Sequence, residues 1–148
     1  MIKREEINLK GSFQLQVIDV VTGDILEQYN NNNLVVTTGK TNTAKLLVGG
    51  TGGSVINKIA FGTNVTAPAV TDTAITGAFT KAIDSYSFPA DGKVSINWSL
   101  NADEANGMNI NELGLITNGG ALFARKVRST IAKTSGIRLV GTWTISIL

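Results

Sequence analysis

Apolar and polar residues alternate with a period of two along several segments of this chain. The alternation is clearest over 94–100, and it recurs over 13–18 and 137–147. Successive side chains of a strand point to opposite faces, so this period predicts half-buried β-strands. Shorter segments with strand composition lie at 25–29, 56–61, 79–88, 108–116 and 121–127.

Turn signals separate the predicted strands. Gly23, within Val21–Asp24, accepts the positive φ that a tight turn requires, so the first two strands are expected to form a hairpin. Asn30–Asn33 is polar and tolerant of left-handed conformations, which predicts a loop. The pair Asn118-Gly119 predicts a second hairpin in the last third of the chain.

Thr41–Val48 is the best helix candidate. A Thr or Asn can cap its start, Ala44, Leu47 and Val48 can share a face, and Gly49-Gly50 follows. A helix of about two turns is stable only when it packs against other elements. Asp72–Ile75 is expected to start a single helical turn.

Many short strands, closely spaced turns and one short helix are typical of mainly β proteins. We therefore predict an antiparallel β-sandwich or partial barrel with one short helix. Residues 1–12 are charged and weakly patterned, so they are predicted to form an extended N-terminal arm. Residues 13–148 are predicted to form a single β-domain, which is long enough to bury a core without disulfides.

The composition removes several kinds of chemistry. The chain has no His and no Cys, so Ser-His and Cys-His machinery and the usual zinc sites are excluded. No apolar run approaches the ~18–20 residues that span a bilayer. The first ten residues lack the apolar segment of a signal peptide, so cytosolic synthesis is expected.

Charge is distributed unevenly along the chain. Residues 1–112 carry eight basic and all 11 acidic residues, whereas 113–148 carry five basic residues. The basic segment could contact nucleic acid or an acidic protein surface, or simply form a solvated strand face. Aromatic residues make up 6% of the chain, which is low for a sugar-binding or a single-stranded nucleic-acid platform, and a nucleic-acid partner is not expected.

Carboxylates are the remaining candidates for a reactive site. Asp103 and Glu104 are neighbours in the acidic loop 101–107, whose spacing departs from known Ca²⁺ loops. Glu112 follows Asn111 near a strand start, where it can point inward to brace backbone amides or pair with Arg125 across the hairpin. Nothing predicts the apolar pocket that raises a catalytic pKa. We expect no enzyme activity and no cofactor or metal.

Several strand and turn segments follow one another in a recognisable order. They are Ile7-Asn-Leu-Lys-Gly11, Asn33-Leu-Val-Val-Thr-Thr-Gly39, Ala60-Phe-Gly-Thr63, Thr66-Ala-Pro68, Asp72-Thr73, Asn111-Glu-Leu-Gly-Leu115, Leu122-Phe-Ala-Arg125 and Lys133-Thr134. In this order they resemble small structural proteins of tailed bacteriophage particles. The resemblance covers most of the chain. It implies a part of the virion and supplies no catalytic residues.

The resemblance leaves two locations in the particle open. A capsid decoration (cement) protein on the outside of the head is favoured, because a stand-alone domain with an arm suits the bridging of neighbouring subunits. The alternative is a tail collar, baseplate or tail-fibre-root protein. Expected partners are the major capsid protein or neighbouring virion proteins, together with further copies in a dimer or trimer. The chain would be made in the host cytoplasm and reside in the virion.

Docking is expected to use charged residues that the sequence leaves without an assigned role. The predicted docking residues are, in the arm, Lys3, Arg4, Glu5, Glu6 and Lys10, and, as a second patch, Arg125, Lys126 and Arg128. A competing hypothesis is a receptor- or glycan-binding module at a tail tip. Its candidate contacts are Tyr29, Tyr86 and the loops 49–54 and 101–107.

Overall fold

The computed structural model describes residues 6–148 of the 148-residue chain. Nine strands and one helix follow one another along this part of the chain. In order, they are β1 (Leu9–Asp19), β2 (Ile25–Val35), α1 (Thr37–Leu47), β3 (Ile56–Gly62), β4 (Phe79–Ala82), β5 (Ser85–Ser87), β6 (Lys93–Leu100), β7 (Asn109–Thr117), β8 (Leu122–Ala132) and β9 (Ile137–Ile147). The predicted mainly β fold with one short helix is confirmed.

The strands form one antiparallel sheet in the order β4-β3-β7-β8-β2-β1-β9-β6-β5. Its two end strands, β4 and β5, are separated in sequence only by Ile83 and Asp84. The Ile83 N–H donates to the Asn57 carbonyl of β3 at 3.1 Å, and the Asp84 N–H donates to the Asn97 carbonyl of β6 at 2.8 Å. The sheet therefore curls into a partial barrel whose two ends are linked by these residues.

The β1–β2 hairpin forms where its turn was predicted, but it is longer. Asp19 Oδ1 accepts the N–H groups of Val21 and Thr22, both at 2.9 Å, and Gly23 has φ 76°. The backbone hydrogen bond from Thr22 is the main reason why the Asp19 pKa lies below its usual value. The predicted loop Asn30–Asn33 is wrong, because these residues pair with 11–14 of β1. Strand pairing here overrides the turn preference of asparagine.

β1 begins at Leu9, which pairs with Ile147 of β9. Residues 9–12 of the predicted arm therefore belong to the sheet. Residues 1–5 of the arm lie outside the described residues. Two other predictions also change, because the segment 79–88 divides into the separate strands β4 and β5, and 72–75 is not helical.

Helix α1 begins at Thr37, four residues before the predicted start, and no side chain caps it. Its position follows from tertiary contacts. The Thr37 N–H donates to the Val70 carbonyl at 2.8 Å, and the Thr38 hydroxyl donates to the Leu122 carbonyl. A Cβ on Gly39 would lie 2.2 Å from the Phe123 carbonyl oxygen, so the helix contacts β8 at a distance that requires glycine.

An aromatic cluster fills the centre of the barrel. Phe13 stacks on Trp98 at 5.7 Å between ring centroids and meets Trp143 edge-on at 5.0 Å, and Phe61 meets Trp98 edge-on at 5.6 Å. All four residues are buried. The predicted core role of both tryptophans is confirmed. Gly141 permits this packing, because a Cβ there would lie 2.1 Å from Trp98 Cζ2.

Candidate interaction surface

Large apolar side chains lie exposed around helix α1. Leu47 is 81% exposed, Ile7 75% and Phe88 74%. We call this region the α1 surface and define it by the exposed apolar residues that border the depressions around the helix, namely Ile7, Leu46, Leu47, Val55, Tyr86, Phe88 and Ile147. Clustered exposed apolar residues of this kind are typical of binding sites, whereas single ones are ordinary.

Three depressions make the α1 surface continuous. One of about 570 Å³ lies between α1 and strands β5 and β6, and Leu46 and Phe88 border it. A second of about 450 Å³ shares Phe88 with the first. A third of about 340 Å³ shares Ile147 with the second and reaches Leu47 and Ile7. The shared residues join the three into one apolar groove beside the helix.

The orientation of α1 explains why its leucines are exposed. The buried residues of the helix are Gly39 and Asn42 rather than its apolar residues. The Asn42 amide donates to the Ser54 carbonyl at 2.8 Å and accepts the Ser54 N–H at 2.9 Å. These contacts fix the polar side of the helix against the protein. The predicted common face of Ala44, Leu47 and Val48 therefore exists only as exposed surface.

Two aromatic residues form the opposite border of the groove. Tyr86 lies on β5, the end strand of the sheet, and is 64% exposed. Its ring meets the Phe88 ring edge-on at 5.9 Å. Aromatic residues are enriched at the centres of protein interfaces. The α1 surface thus has the composition of a protein-binding site.

The predicted second docking patch is not exposed. Arg125 is 2% exposed, Arg128 8% and Lys126 9%. The expectation of exposure on which this prediction rested is therefore wrong for all three residues. In the arm, Glu6 and Lys10 are exposed, whereas Lys3, Arg4 and Glu5 lie outside the described residues.

Arg125 is held by two carboxylates and a backbone carbonyl. Its Nε and NH2 donate to Glu112 Oε2 at 3.2 and 2.7 Å, its NH1 donates to Asp72 Oδ2 at 2.9 Å, and NH2 also donates to the Thr66 carbonyl at 3.0 Å. Glu112 Oε1 accepts the Thr76 N–H at 2.6 Å. The predicted pairing of Glu112 with Arg125 is confirmed. The network ties the loop 63–78 to the β7–β8 hairpin.

Lys126 and Arg128 point to β2 instead. Lys126 Nζ donates to the Asn32 carbonyl at 2.7 Å, and Arg128 NH1 lies 2.6 Å from Glu27 Oε1. The Arg128 guanidinium also lies over the Tyr29 ring, 4.8 Å from its centroid. Tyr29 is therefore part of an internal cation–π contact.

The acidic loop 101–107 is organised around a lysine. Lys133 is 1% exposed, and its ammonium donates to the Ala102 carbonyl at 3.2 Å, to Asn106 Oδ1 at 2.9 Å and to the Thr134 carbonyl at 2.9 Å. Burial lowers the Lys133 pKa. The ammonium takes up loop oxygens that a Ca²⁺ ion would need. Among residues 6–148, no group of three or more acidic residues is placed to hold a metal ion.

Glu104 lies in loop 101–107, which is in a different region from the second candidate loop, 49–54. Glu104 accepts hydrogen bonds from Lys81 Nζ at 2.6 Å and from the Asn101 N–H at 2.8 Å. Burial raises its pKa, but the bond from Lys81 and the one from Asn101 outweigh burial and bring the pKa below its usual value. Loop 101–107 precedes β7, whereas loop 49–54 precedes its antiparallel neighbour β3. The two loops therefore lie at opposite ends of that strand pair and form no common site.

Sequence reasoning missed the α1 surface, although one signal pointed to it. Leu46-Leu47-Val48 are three consecutive apolar residues at a helix end, and three consecutive residues cannot all face the core.

Within the described residues, no helix has the length and apolarity needed to cross a bilayer. Comparison with protein-family models, curated proteins and solved structures gives no match for this chain.

Proposed function

We propose that this chain is a structural protein of a tailed-bacteriophage particle, and that it decorates the outside of the head by binding the major capsid protein. The order of strand and turn motifs supports the virion assignment, because it resembles that of small phage structural proteins. The observation that carries the proposed mode of action is the α1 surface. It offers binding area on a sheet-built scaffold, and it needs no reactive group.

The α1 surface can supply the binding free energy. Full burial of one Leu or Phe side chain contributes about 1.5–3 kcal/mol. Leu47 and Phe88 are mostly exposed in the single chain, so their apolar area remains available for a partner. The groove that runs from Phe88 past Ile147 to Leu47 can receive a ridge of apolar side chains from a neighbouring protein. Many copies on one shell would add these contributions over the particle.

The described part of the arm borders the same surface. Ile7 lines the depression beside α1, and Glu6 immediately precedes it. A partner that fills the groove would therefore also reach Glu6. In this proposal the arm residues Lys3, Arg4, Glu5 and Glu6 supply charged contacts beside an apolar centre, which is the usual division between core and rim of an interface. Lys10 points to the opposite face of β1 from Leu9, which lines the groove, so a contact through Lys10 would be a separate one. Self-association as a dimer or trimer would place two or three such surfaces together.

Occupancy of purified particles tests this proposal. Particles are assembled in the presence of wild-type chain, Leu47→Lys or Leu26→Lys, and copies per particle are counted by quantitative mass spectrometry. Leu26 is a matched control, because it is 58% exposed and lies on β2 outside the α1 surface. We expect Leu47→Lys to lower the affinity roughly tenfold or more, because a charge would be buried in an apolar contact, and Leu26→Lys to bind like the wild type.

Two results would contradict the proposal in different ways. Absence of the wild-type chain from purified particles would remove the virion assignment. Equal occupancy by Leu47→Lys and Leu26→Lys would remove the α1 surface from the docking mechanism. Electron microscopy of particles carrying a labelled chain separates the two locations, since label over the whole head is expected for decoration, and label at the tail would favour a collar, baseplate or fibre-root position.

A further inference from the structure

A second surface, on the outer face of the sheet, has a different composition. Directly opposed residues of antiparallel strands point to the same face, so the strand register defines lateral rows of side chains across β2, β1, β9, β6 and β5. Three adjacent rows are Asn32–Ser12–Thr144–Ser95–Ser87, Asn30–Gln14–Thr142–Asn97–Ser85 and Gln28–Gln16–Val140–Ser99. We call these 14 residues the polar face.

The polar face is free of charge. Thirteen of its 14 residues are Ser, Thr, Asn or Gln, and the other is Val140. Charged residues make up 16% of the whole chain, so about two would be expected among 14 positions. Charges appear immediately beyond the rows, where Lys10 and Lys93 flank Ser146. The absence of charge is thus confined to a bounded area.

Part of the polar face is internally bonded and part is not. The Thr142 hydroxyl donates to Asn97 Oδ1 at 3.1 Å, and the Asn97 amide donates to the Ser85 hydroxyl at 3.0 Å. In contrast, the side chains of four amide residues make no hydrogen bond within residues 6–148. They are Gln14, Gln16, Gln28 and Asn30, and each offers both a carbonyl acceptor and an NH2 donor.

The unbonded amides surround a depression. Its volume is about 360 Å³, and the four amide residues line it together with Thr142 and, at one side, Asp84. The volume lies at the lower end of the range for small-molecule sites, about 300–1,000 Å³. Donors and acceptors from three strands therefore converge on a space that a small ligand can occupy.

The chemistry of this face excludes most ligand classes. A nucleic-acid site needs cationic groups for the phosphates, and the rows contain none. Protein interfaces are enriched in aromatic, Met and Arg residues and depleted in Ser at their centres, and that description fits the α1 surface instead. An apolar ligand would leave the amides without partners. A neutral molecule with many hydroxyl groups fits the depression best, because each hydroxyl both donates and accepts hydrogen bonds and can also donate to the Asp84 carboxylate.

We propose that the polar face binds a neutral saccharide in the depression between Gln14, Gln28 and Asn30. The proposal does not depend on the virion assignment, since it concerns a different surface. Trp98 lies 1% exposed beneath this face, so no exposed aromatic ring of the face stacks on the sugar. Binding therefore rests on hydrogen bonds, and one site is expected to bind with a dissociation constant in about the millimolar range. Several copies held together in one assembly would raise the apparent affinity.

Nuclear magnetic resonance of the full chain labelled with ¹⁵N tests the site. The probes are four neutral oligosaccharides, maltohexaose, cellohexaose, laminarihexaose and mannohexaose, and heparin hexasaccharide serves as an anionic comparison. We expect at least one neutral probe to shift the side-chain NH2 signals of Gln14, Gln16, Gln28 and Asn30. The double substitution Gln14→Ala with Asn30→Ala should weaken this binding about tenfold. Asn118→Ala, an exposed amide in the β7–β8 turn, should leave it unchanged.

The experiment can overturn the proposal in three ways. No shift with any of the four neutral probes, shifts confined to other surfaces, or binding of heparin alone would each contradict it. The substituted residues are exposed, so the double variant should retain the wild-type circular dichroism spectrum. If the double variant instead lost its place in particles while no probe bound the wild type, the polar face would be a protein-docking surface and the saccharide proposal would be wrong.

Discussion

The β7–β8 hairpin buries charged side chains, whereas the α1 surface exposes apolar ones. In the hairpin, the guanidinium of Arg125 is buried and meets the carboxylates of Glu112 and Asp72. At the α1 surface, Leu47 and Phe88 contribute apolar groups that the fold leaves exposed. In the hairpin, charged groups make contacts within the chain. At the α1 surface, apolar groups lie where nothing in the single chain covers them.

The difference between the two regions indicates that the hairpin charges stabilise the fold, whereas the α1 surface is available for binding. A buried charge must find a partner inside the fold, because removing it from water without one is costly. The hairpin charges therefore fix the loop 63–78 and are not available to a partner. Exposed apolar residues add little to the stability of the single chain, and they gain free energy only when another surface covers them. We therefore expect substitutions in the hairpin to lower the stability of the single chain, and substitutions at the α1 surface to weaken binding with little effect on stability.

The largest effect is expected for Glu112→Ala. The substitution leaves Arg125 buried without its main counter-charge and leaves the Thr76 N–H without its acceptor. Loss of one partner from a buried ion pair costs about 3–5 kcal/mol of unfolding free energy. Urea denaturation measures this loss. Glu112→Gln retains a carbonyl oxygen at the site and should cost less. A change below about 1 kcal/mol for Glu112→Ala would mean that the network does not stabilise the fold.

A smaller effect is expected for Lys133→Met, which removes the ammonium that holds loop 101–107. The lost hydrogen bonds leave carbonyl groups of Ala102 and Thr134 without this donor, which should cost about 1–3 kcal/mol. Urea denaturation of the wild type and of Lys133→Met at neutral pH measures this cost. An unchanged urea midpoint would show that Lys133 does not hold the loop.

The difference in unfolding free energy between wild type and Lys133→Met should depend on pH in a defined direction. Because burial lowers the Lys133 pKa in the folded state, the unfolded chain binds this proton more readily between the folded pKa and the ordinary lysine pKa of 10.5. The contribution of Lys133 to stability therefore rises with pH through that window and is constant below it, where both states carry the proton. The difference in unfolding free energy between wild type and Lys133→Met should grow towards pH 10.5. A difference that shrinks there would contradict the lowered pKa.

The smallest effect on stability is expected for Leu47→Lys. Its side chain is largely exposed, so the unfolding free energy should change by no more than about 0.5 kcal/mol. Thermal and urea denaturation of the single chain, with Leu26→Lys as the control, measure this change. A loss of several kcal/mol would show that Leu47 belongs to the core. In that case reduced occupancy of particles could not be assigned to docking.

The sequence predicted those parts of the fold that depend on residues close to one another along the chain. The period of two identified the strands, and the position of Glu112 on the β7–β8 hairpin allowed its pairing with Arg125 to be predicted. The asparagines at 30–33 were assigned to a loop because their strand conformation depends on β1, a partner that local preference does not include. The start of α1 depends similarly on contacts with β8 and Val70.

The candidate sites were harder to predict than the fold. Arg125 and Lys126 are adjacent and therefore point to opposite faces of β8, yet both are buried. The loop 63–78 covers the face of Arg125, whereas Lys126 shares the inner face with the core residue Leu113 and donates to β2. A single sequence does not show that a strand is covered twice. The polar face arises from register across five strands, so its rows are distant in sequence.

Hydrogen exchange of the free chain and of the chain on purified particles shows whether the α1 surface is the binding site. We expect slower exchange on particles for peptides covering α1 and residues 85–94, with little change for peptides covering 63–78 and 122–128. Slower exchange at the β7–β8 hairpin without any change around α1 would show that the α1 surface is not the binding site.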